Sequence, residues 1–289
     1  MTVRATLGRL ACLAAVTSAA STVSTTQFRT GVSLVEVFAT VTDSKGRPVV
    51  GLAQVDFVVR EDGVEQQVTA FAGGTLPLSV ALAIDRSWSM GGTRLRVARS
   101  AAHAFLGELK PDDRAMLIAV SSELDTIAPL STDREAQHRA VDTLEAWGTT
   151  RLHDAVIDAV DRISSASGRR ALVVLSDGAD RYSRTTADEV EAFVRRSDVL
   201  VYPVALGDTM PPIFERLAAL TGGRAYHVSN TAQLSPAFRE IASELRHQYL
   251  LGYVSSQPAP SAGDVWRTIE VTVAQPRTRV RARAGYFAR

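Results

Sequence analysis

Four apolar runs constrain this chain more than any other feature. "SVALAI" (79–84), "RAMLIAV" (114–120), "RALVVLS" (170–176) and "VLVYPVAL" (199–206) are too continuously apolar for strands with one wet face. The text between them changes period. Ala98, Ala102, Phe105, Leu106 and Leu109 share one helical face, as do Leu152, Ala155, Val156, Ala159, Val160 and Ile163. Thr132 with Glu135 and Thr186 with Glu189 match capping boxes that predict two more helix starts, and Phe238, Ile241, Ala242 and Leu245 predict a last helix over Ser235–Arg246. Strands alternating with helices imply an α/β fold, a doubly wound, mostly parallel, Rossmann-like sheet covered on both faces.

The flanks read differently. Over residues 33–72, "SLVEVFATVTDSKGRPVVGL" and "VDFVVREDGVEQQVTAFA" alternate with period two between turn signals at Ser44–Gly46 and Asp62–Gly63. After the last helix, "YLLGYVS", "WRTIEVTVA" and "TRVRARAGYF" are again strand-like. Each flank, at about 45 residues, is marginal as a domain of its own. The expected organisation is therefore a small antiparallel β-sandwich built from both chain ends, residues 30–74 and 247–289, with the α/β domain, residues 75–246, inserted between its halves.

The first 20 residues carry Arg4 and Arg9, an apolar run over 10–16, no acidic residue and small residues at Ser18 and Ala20, the pattern of a secretory signal peptide. On this reading the protein is exported, periplasmic or released, and its only cysteine, Cys12, leaves with the signal, so thiolate chemistry drops out. Without Arg4 and Arg9 the charge balance is 30 basic against 31 acidic residues, which gives no whole-chain case for nucleic acid. The histidines at 103, 138, 153, 227 and 247 show no zinc-protease spacing, and neither a G-x-S-x-G elbow nor a phosphate loop occurs. Arg277, Arg279, Arg281 and Arg283 alternate along the last strand-like segment and are expected on one solvated face, with a polyanion contact as the sharper alternative.

Three loops converge where such a sheet binds ligands, at the carboxyl ends of its strands. "AIDRSWSMGG" places Asp85, Ser87 and Ser89 at alternate positions just past the first apolar run; "WGTTRLHDA" puts Thr149 and Thr150 ahead of a helix; "LSDG" ends a third run with Asp177 and a glycine. All are hard oxygen donors, which suits Mg2+ or Mn2+. The bland reading is that they are caps and turn residues.

The pattern Asp85-x-Ser87-x-Ser89, Thr150 and Asp177, in that order, resembles the metal-ion-dependent adhesion site of von Willebrand factor type A domains, over residues 78 to about 248. The flanking "ATVTDSKGRPVVGL", "FVVREDGV" and "VRARAGYFAR" are similar to a secreted bacterial group, described in acidobacteria, that carries such a domain. The resemblance implies that Ser87, Ser89 and Thr150 bind the cation through hydroxyls, that Asp85 and Asp177 act directly or through waters, and that an Asp or Glu of a partner protein completes the coordination. Trp88 stands where the family commonly has glycine, and it is expected at the ligand rim with Thr149 and His153. The function so implied is non-enzymatic and adhesive. The alternatives are a metal-free scaffold of the cell envelope and a metal-assisted hydrolase, the latter weakened because both acids at the site are committed to the cation.

Overall fold

The computed structural model describes residues 34–74, 76–178 and 180–288; the expected signal segment and Cys12 lie outside the described residues. Four strands come first, β1 (Leu34–Thr42), β2 (Phe57–Glu61), β3 (Val64–Gln66) and β4 (Val68–Gly73). Asp62 and Gly63, between β2 and β3, have φ of 46° and 80°, the left-handed pair that a two-residue hairpin turn demands.

The chain then alternates: β5 (Leu78–Asp85), α1 (Thr93–Glu108), β6 (Arg114–Val120), β7 (Leu124–Ser131), α2 (Arg134–Asp142), α3 (Leu152–Ser164), β8 (Arg169–Ser176), α4 (Ala187–Arg195), β9 (Val199–Leu206), α5 (Pro212–Thr221), β10 (Tyr226–Val228) and α6 (Leu234–Arg246). Their sheet has the order β10-β9-β8-β5-β6-β7, parallel except for β7. Every residue of β5 and β9 is buried, as their unbroken apolar text requires. One face packs on α1, α2 and α6 around Phe105 and Phe238, the other on α3, α4 and α5 around Val160 and Phe214. The doubly wound sheet expected from the sequence is thus present.

Two local features differ from expectation. Strand β7 went unread because its text, "LDTIAPLS", is largely half-exposed and its pairing with β6 shifts register twice; Pro129 is tolerable there because β7 is an edge strand. Helix α2 is capped by Asp133, whose carboxylate accepts the Ala136 amide, so the predicted Thr132–Glu135 box does not form. The Thr186–Glu189 box does, with the Thr186 amide donating to Glu189 at 2.8 Å and the Glu189 amide donating to the Thr186 hydroxyl at 3.3 Å.

Past α6 lie β11 (Tyr249–Val254), β12 (Val265–Val273), β13 (Arg279–Arg281) and β14 (Gly285–Ala288). With β1–β4 they form two antiparallel sheets, β13-β1-β11-β4 and β14-β12-β2-β3, each drawing strands from both flanks. Val37, Val59, Leu251, Tyr253 and Ile269 share the core between them. Glu61 is buried there, its carboxylate accepting from Arg267 Nη1 at 2.8 Å, Tyr253 OH at 2.8 Å, Tyr286 OH at 2.9 Å and Ser255 Oγ at 2.5 Å. Burial, with the hydrogen bond to and the charge of Glu61, raises both tyrosine hydroxyls above their ordinary range and keeps them protonated. Where the α/β domain joins, Gly73 of β4 faces Tyr249 of β11, and the Gly74 amide donates to the Gln248 carbonyl at 2.9 Å. The domain therefore replaces the turn between two antiparallel neighbours.

The arginine-rich end is not one strand with four arginines on a solvated face. The chain leaves one sheet after Arg281 and enters the other at Gly285, where an added Cβ would meet the Arg267 carbonyl at 2.2 Å. The break ends the alternation that a common face needs. Arg277 has left-handed φ of 61° and, like Arg279, is exposed. Arg281 reaches the Glu244 carboxylate at 2.5 Å and the Gly223 carbonyl at 2.7 Å, and Arg283 pairs with Asp198. Two of the four thus fasten the sandwich to the α/β domain. No helix among the described residues is long and apolar enough to cross a membrane.

Candidate functional site

Strand β5 lies between β6 and β8, and the chain winds away from it in both directions, so its carboxyl end opens a crevice at the topological switch point. Asp85 ends that strand and is fully buried. Its Oδ1 accepts the Ser87 amide at 2.8 Å; its Oδ2 accepts the Ser176 hydroxyl at 2.6 Å, with the Thr150 hydroxyl at 3.5 Å. Ser87 caps a short 3-10 turn over Trp88–Met90 that carries Ser89 and is pinned by buried Met90, and the two serine hydroxyls lie 3.1 Å apart.

Backbone contacts lock the loops together. The Trp88 amide donates to the Gly148 carbonyl at 3.0 Å and the Trp147 amide to the Arg86 carbonyl at 2.7 Å, which presents Thr150, itself buried, to the crevice. Gly148, at φ 72°, would meet Ser122 Oγ at 2.6 Å if it carried a Cβ. From the third loop, the Arg181 amide donates to the Thr150 carbonyl at 3.2 Å. Gly178 there has φ 82°, and a Cβ would collide with Pro211 at 2.1 Å, so the turn after Asp177 needs glycine.

The electrostatics are one-sided. Burial raises the Asp85 carboxyl above its ordinary range; hydrogen bonds from Ser176 and Ser87 oppose that, and the nearby negative Asp177 adds to it. No basic side chain pairs with Asp85 among the described residues. A buried carboxylate surrounded by hydroxyls and a second carboxylate suits a hard divalent cation, and no cluster of three or more His, Cys, Asp or Glu offers a softer site among the described residues.

The structure thus brings Asp85, Ser87, Ser89 and Thr150 together, with Asp177 close enough to act on Asp85. Ser176 also belongs to the site and escaped sequence reading because it closes an apolar run; its signal was its place directly before Asp177. Among the rim candidates, Trp88 is 66 % exposed beside Ser87 and Ser89. Thr149 turns its hydroxyl to Ser122 at 3.1 Å, and His153 places Nδ1 on the Thr185 carbonyl at 3.0 Å. Trp147, 40 % exposed, lies under the Arg86 guanidinium at 5.4 Å, and Arg86 pairs with Asp125 at 2.7 Å.

Residues 80–179 match the family model of the von Willebrand factor type A domain. Bovine inter-alpha-trypsin inhibitor heavy chain H4 is 28 % identical over 214 residues, 67 % of this chain but 23 % of that protein. A UPF0353 protein of Mycobacterium leprae is 24 % identical over 211 residues, 61 % of this chain and 63 % of that protein. The chain therefore spans less than two thirds of the length of these relatives. Among solved structures, a von Willebrand factor type A protein from Catenulispora acidiphila has a TM-score of 0.54 at 16 % identity, over 91 % of this chain and 65 % of that one. Proximal thread matrix protein 1 of the mussel byssus has a TM-score of 0.55 at 12 % identity, over 65 % of this chain and 50 % of that one. The α/β domain of this chain accordingly has the fold of von Willebrand factor type A domains and matches that family's model over residues 80–179, and it is held in a two-sheet frame made from the residues on either side of it.

Proposed function

We propose that the crevice is a metal-dependent adhesion site of a non-enzymatic, exported binding protein. Ser87, Ser89 and Thr150 would hold Mg2+ or Mn2+ through hydroxyls, with Asp85 and Asp177 as its carboxylates, and an Asp or Glu of a partner protein would take a remaining position. The observation that carries this reading is Asp85, a fully buried carboxylate that meets only hydroxyls, one amide and another acid. Such a charge is stabilised by a cation or left at a penalty. The bound ion would supply positive charge to a partner's carboxylate, and exposed Trp88 would give that partner an apolar contact beside it.

The mussel protein whose fold this domain shares was solved with a zinc-occupied MIDAS motif, which supports divalent binding here without choosing the ion. The non-enzymatic reading rests on the acids: both would serve the proposed cation, and His153 is held on the Thr185 carbonyl, so none of these three is left as a general base. Export rests on the amino-terminal signal pattern.

The test is thermal unfolding in EDTA and in Mg2+ or Mn2+, beside Asp85→Ala. An ion at about a hundred times its dissociation constant adds roughly 2.7 kcal/mol to the native state. A metal-dependent rise in the wild type that is absent from Asp85→Ala is expected. No rise in the wild type at millimolar ion overturns the metal reading.

A further inference from the structure

A pair of histidines joins the two helices that adjoin the crevice loops. His103 Nδ1 on α1 lies 2.6 Å from His138 Nδ1 on α2, and His103 Nε2 lies 2.9 Å from the Asp142 carboxylate. The ring planes differ by 17° and the centroids are 4.9 Å apart. That separation exceeds the nitrogen contact by two ring radii, the most it can, so the rings meet edge to edge in nearly one plane. Neither two lone pairs nor two N–H groups can face each other at this distance, so one proton is shared.

Asp142 decides which ring donates it. It is the last residue of α2, where the helix dipole disfavours an acid, and its carboxylate is turned onto His103. An ionised carboxylate only accepts, so His103 Nε2 carries a proton and, while that ring is neutral, its Nδ1 accepts from His138 Nδ1–H. The pair tolerates a first added proton, on His138 Nε2, because the N–H···N bond is kept. A second, on His103 Nδ1, sets two N–H groups and two positive charges head to head. Burial lowers the His138 imidazole below its ordinary range, His103 and Arg134 add to that, and Asp142 opposes it.

The other charges around the pair are engaged or solvated. Arg99 stands one turn before His103 on α1, and Arg139 pairs with Glu135 on α2. From α6, Glu240, Glu244 and Arg246 pair with Arg224, Arg281 and Glu108, and Arg239 is exposed. Behind α2, Arg114 of β6 donates to the Leu130 carbonyl and Asp125 of β7 pairs with Arg86.

We propose that His103 and His138 form an acid-released latch between α1 and α2, closed while they share one proton and opened when each ring holds its own on Nδ1. The Trp88–Met90 turn leads through Gly91 and Gly92 into α1, and the chain leaving α2 reaches Trp147 shortly after Asp142. Those two loops are tied by the Trp88 amide on the Gly148 carbonyl and the Trp147 amide on the Arg86 carbonyl. Opening the latch would loosen that tie, so acid would reach the crevice without acting on Asp85. The stability the latch contributes is full above the ordinary histidine value of 6.5 and is lost as pH falls through it toward the lower folded value.

The full chain in EDTA tests this with no ion in the crevice. Between about pH 7.5 and about pH 5, the wild-type Tm should fall about 2–4 °C further than that of His138→Gln, whose amide can flip to donate or accept. Equal falls overturn the proposal. Over the same range, protection of the Trp88 and Trp147 amides against hydrogen exchange should drop in the wild type and hold in His138→Gln. An equal drop in both overturns the latch's reach to the crevice. If His138→Gln does not fold, nitrogen-15 spectra of the wild-type imidazoles decide: in neutral solution His138 Nδ1 should be protonated and His103 Nδ1 bare, and two rings both protonated on Nε2 alone overturn the latch.

Discussion

Glu61 of the sandwich and Asp85 of the inserted domain are both buried carboxylates, and their surroundings differ in one respect. Glu61 has a resident cation, the Arg267 guanidinium at 2.8 Å, and three hydroxyls complete its shell. Asp85 has hydroxyls and an amide but no cation, and another acid stands close by. The first charge is closed within the chain and serves to hold two sheets in register. The second is left open at the end of the sheet where ligands approach, an arrangement that makes sense when the missing charge comes from outside.

The comparison can be broken most sharply at Glu61. Arg267→Met should destabilise the protein by about 3–5 kcal/mol in urea unfolding at neutral pH, because it leaves a buried carboxylate uncompensated. A loss under 1 kcal/mol would show that the hydroxyls alone suffice and that the two sites are not different in kind. Next in size, Arg281→Met should cost about 2 kcal/mol, since Glu244 is buried and loses its cation while keeping the Tyr202 hydroxyl at 2.8 Å.

At Asp85 the expected effect is smaller and opposite in sign. Burial raises its carboxyl above the ordinary 3.8, so ionising it opposes folding: the penalty is absent below the ordinary carboxylate range and complete above the folded-state value. In EDTA, wild type should therefore lose stability relative to Asp85→Asn as pH rises above about 4, and Mg2+ should reverse the order. A wild type that outlasts Asp85→Asn in EDTA at neutral pH would mean that its hydrogen bonds outweigh burial. Smallest of all, Arg139→Ala on the exposed face of α2, where both Arg139 and Glu135 are solvated, should leave the urea midpoint unchanged.

The positions of Asp85, Ser87, Ser89, Thr150 and Asp177 could be read from the sequence because each follows an apolar run or precedes a helical one, and local pattern places such residues at strand ends. Ser176 could not, because nothing local distinguishes a serine that closes a strand from one that faces a crevice. Arg169 and Arg170 are adjacent in sequence, yet the first is buried with its guanidinium donating to the Leu76 carbonyl and the second is only partly buried. Arg281 and Arg283 were misplaced for a related reason, since their partners Glu244 and Asp198 lie far away along the chain. Periodicity reports which way a side chain points relative to its neighbours, and carries nothing about what a distant segment sets against it.

The hydrogen bond between Gly74 and Gln248, which closes the base of the inserted domain, has a mechanical meaning. Tension applied at residues 34 and 288 is borne by the sandwich strands, and the inserted domain hangs beside that line of force as a side loop. It feels no extension until β4 and β11 part. A pull applied through a partner at the crevice enters by the other route, across the domain and into its two adjacent connections together. One molecule can thus resist stretching along its backbone without distorting the surface that holds its ligand.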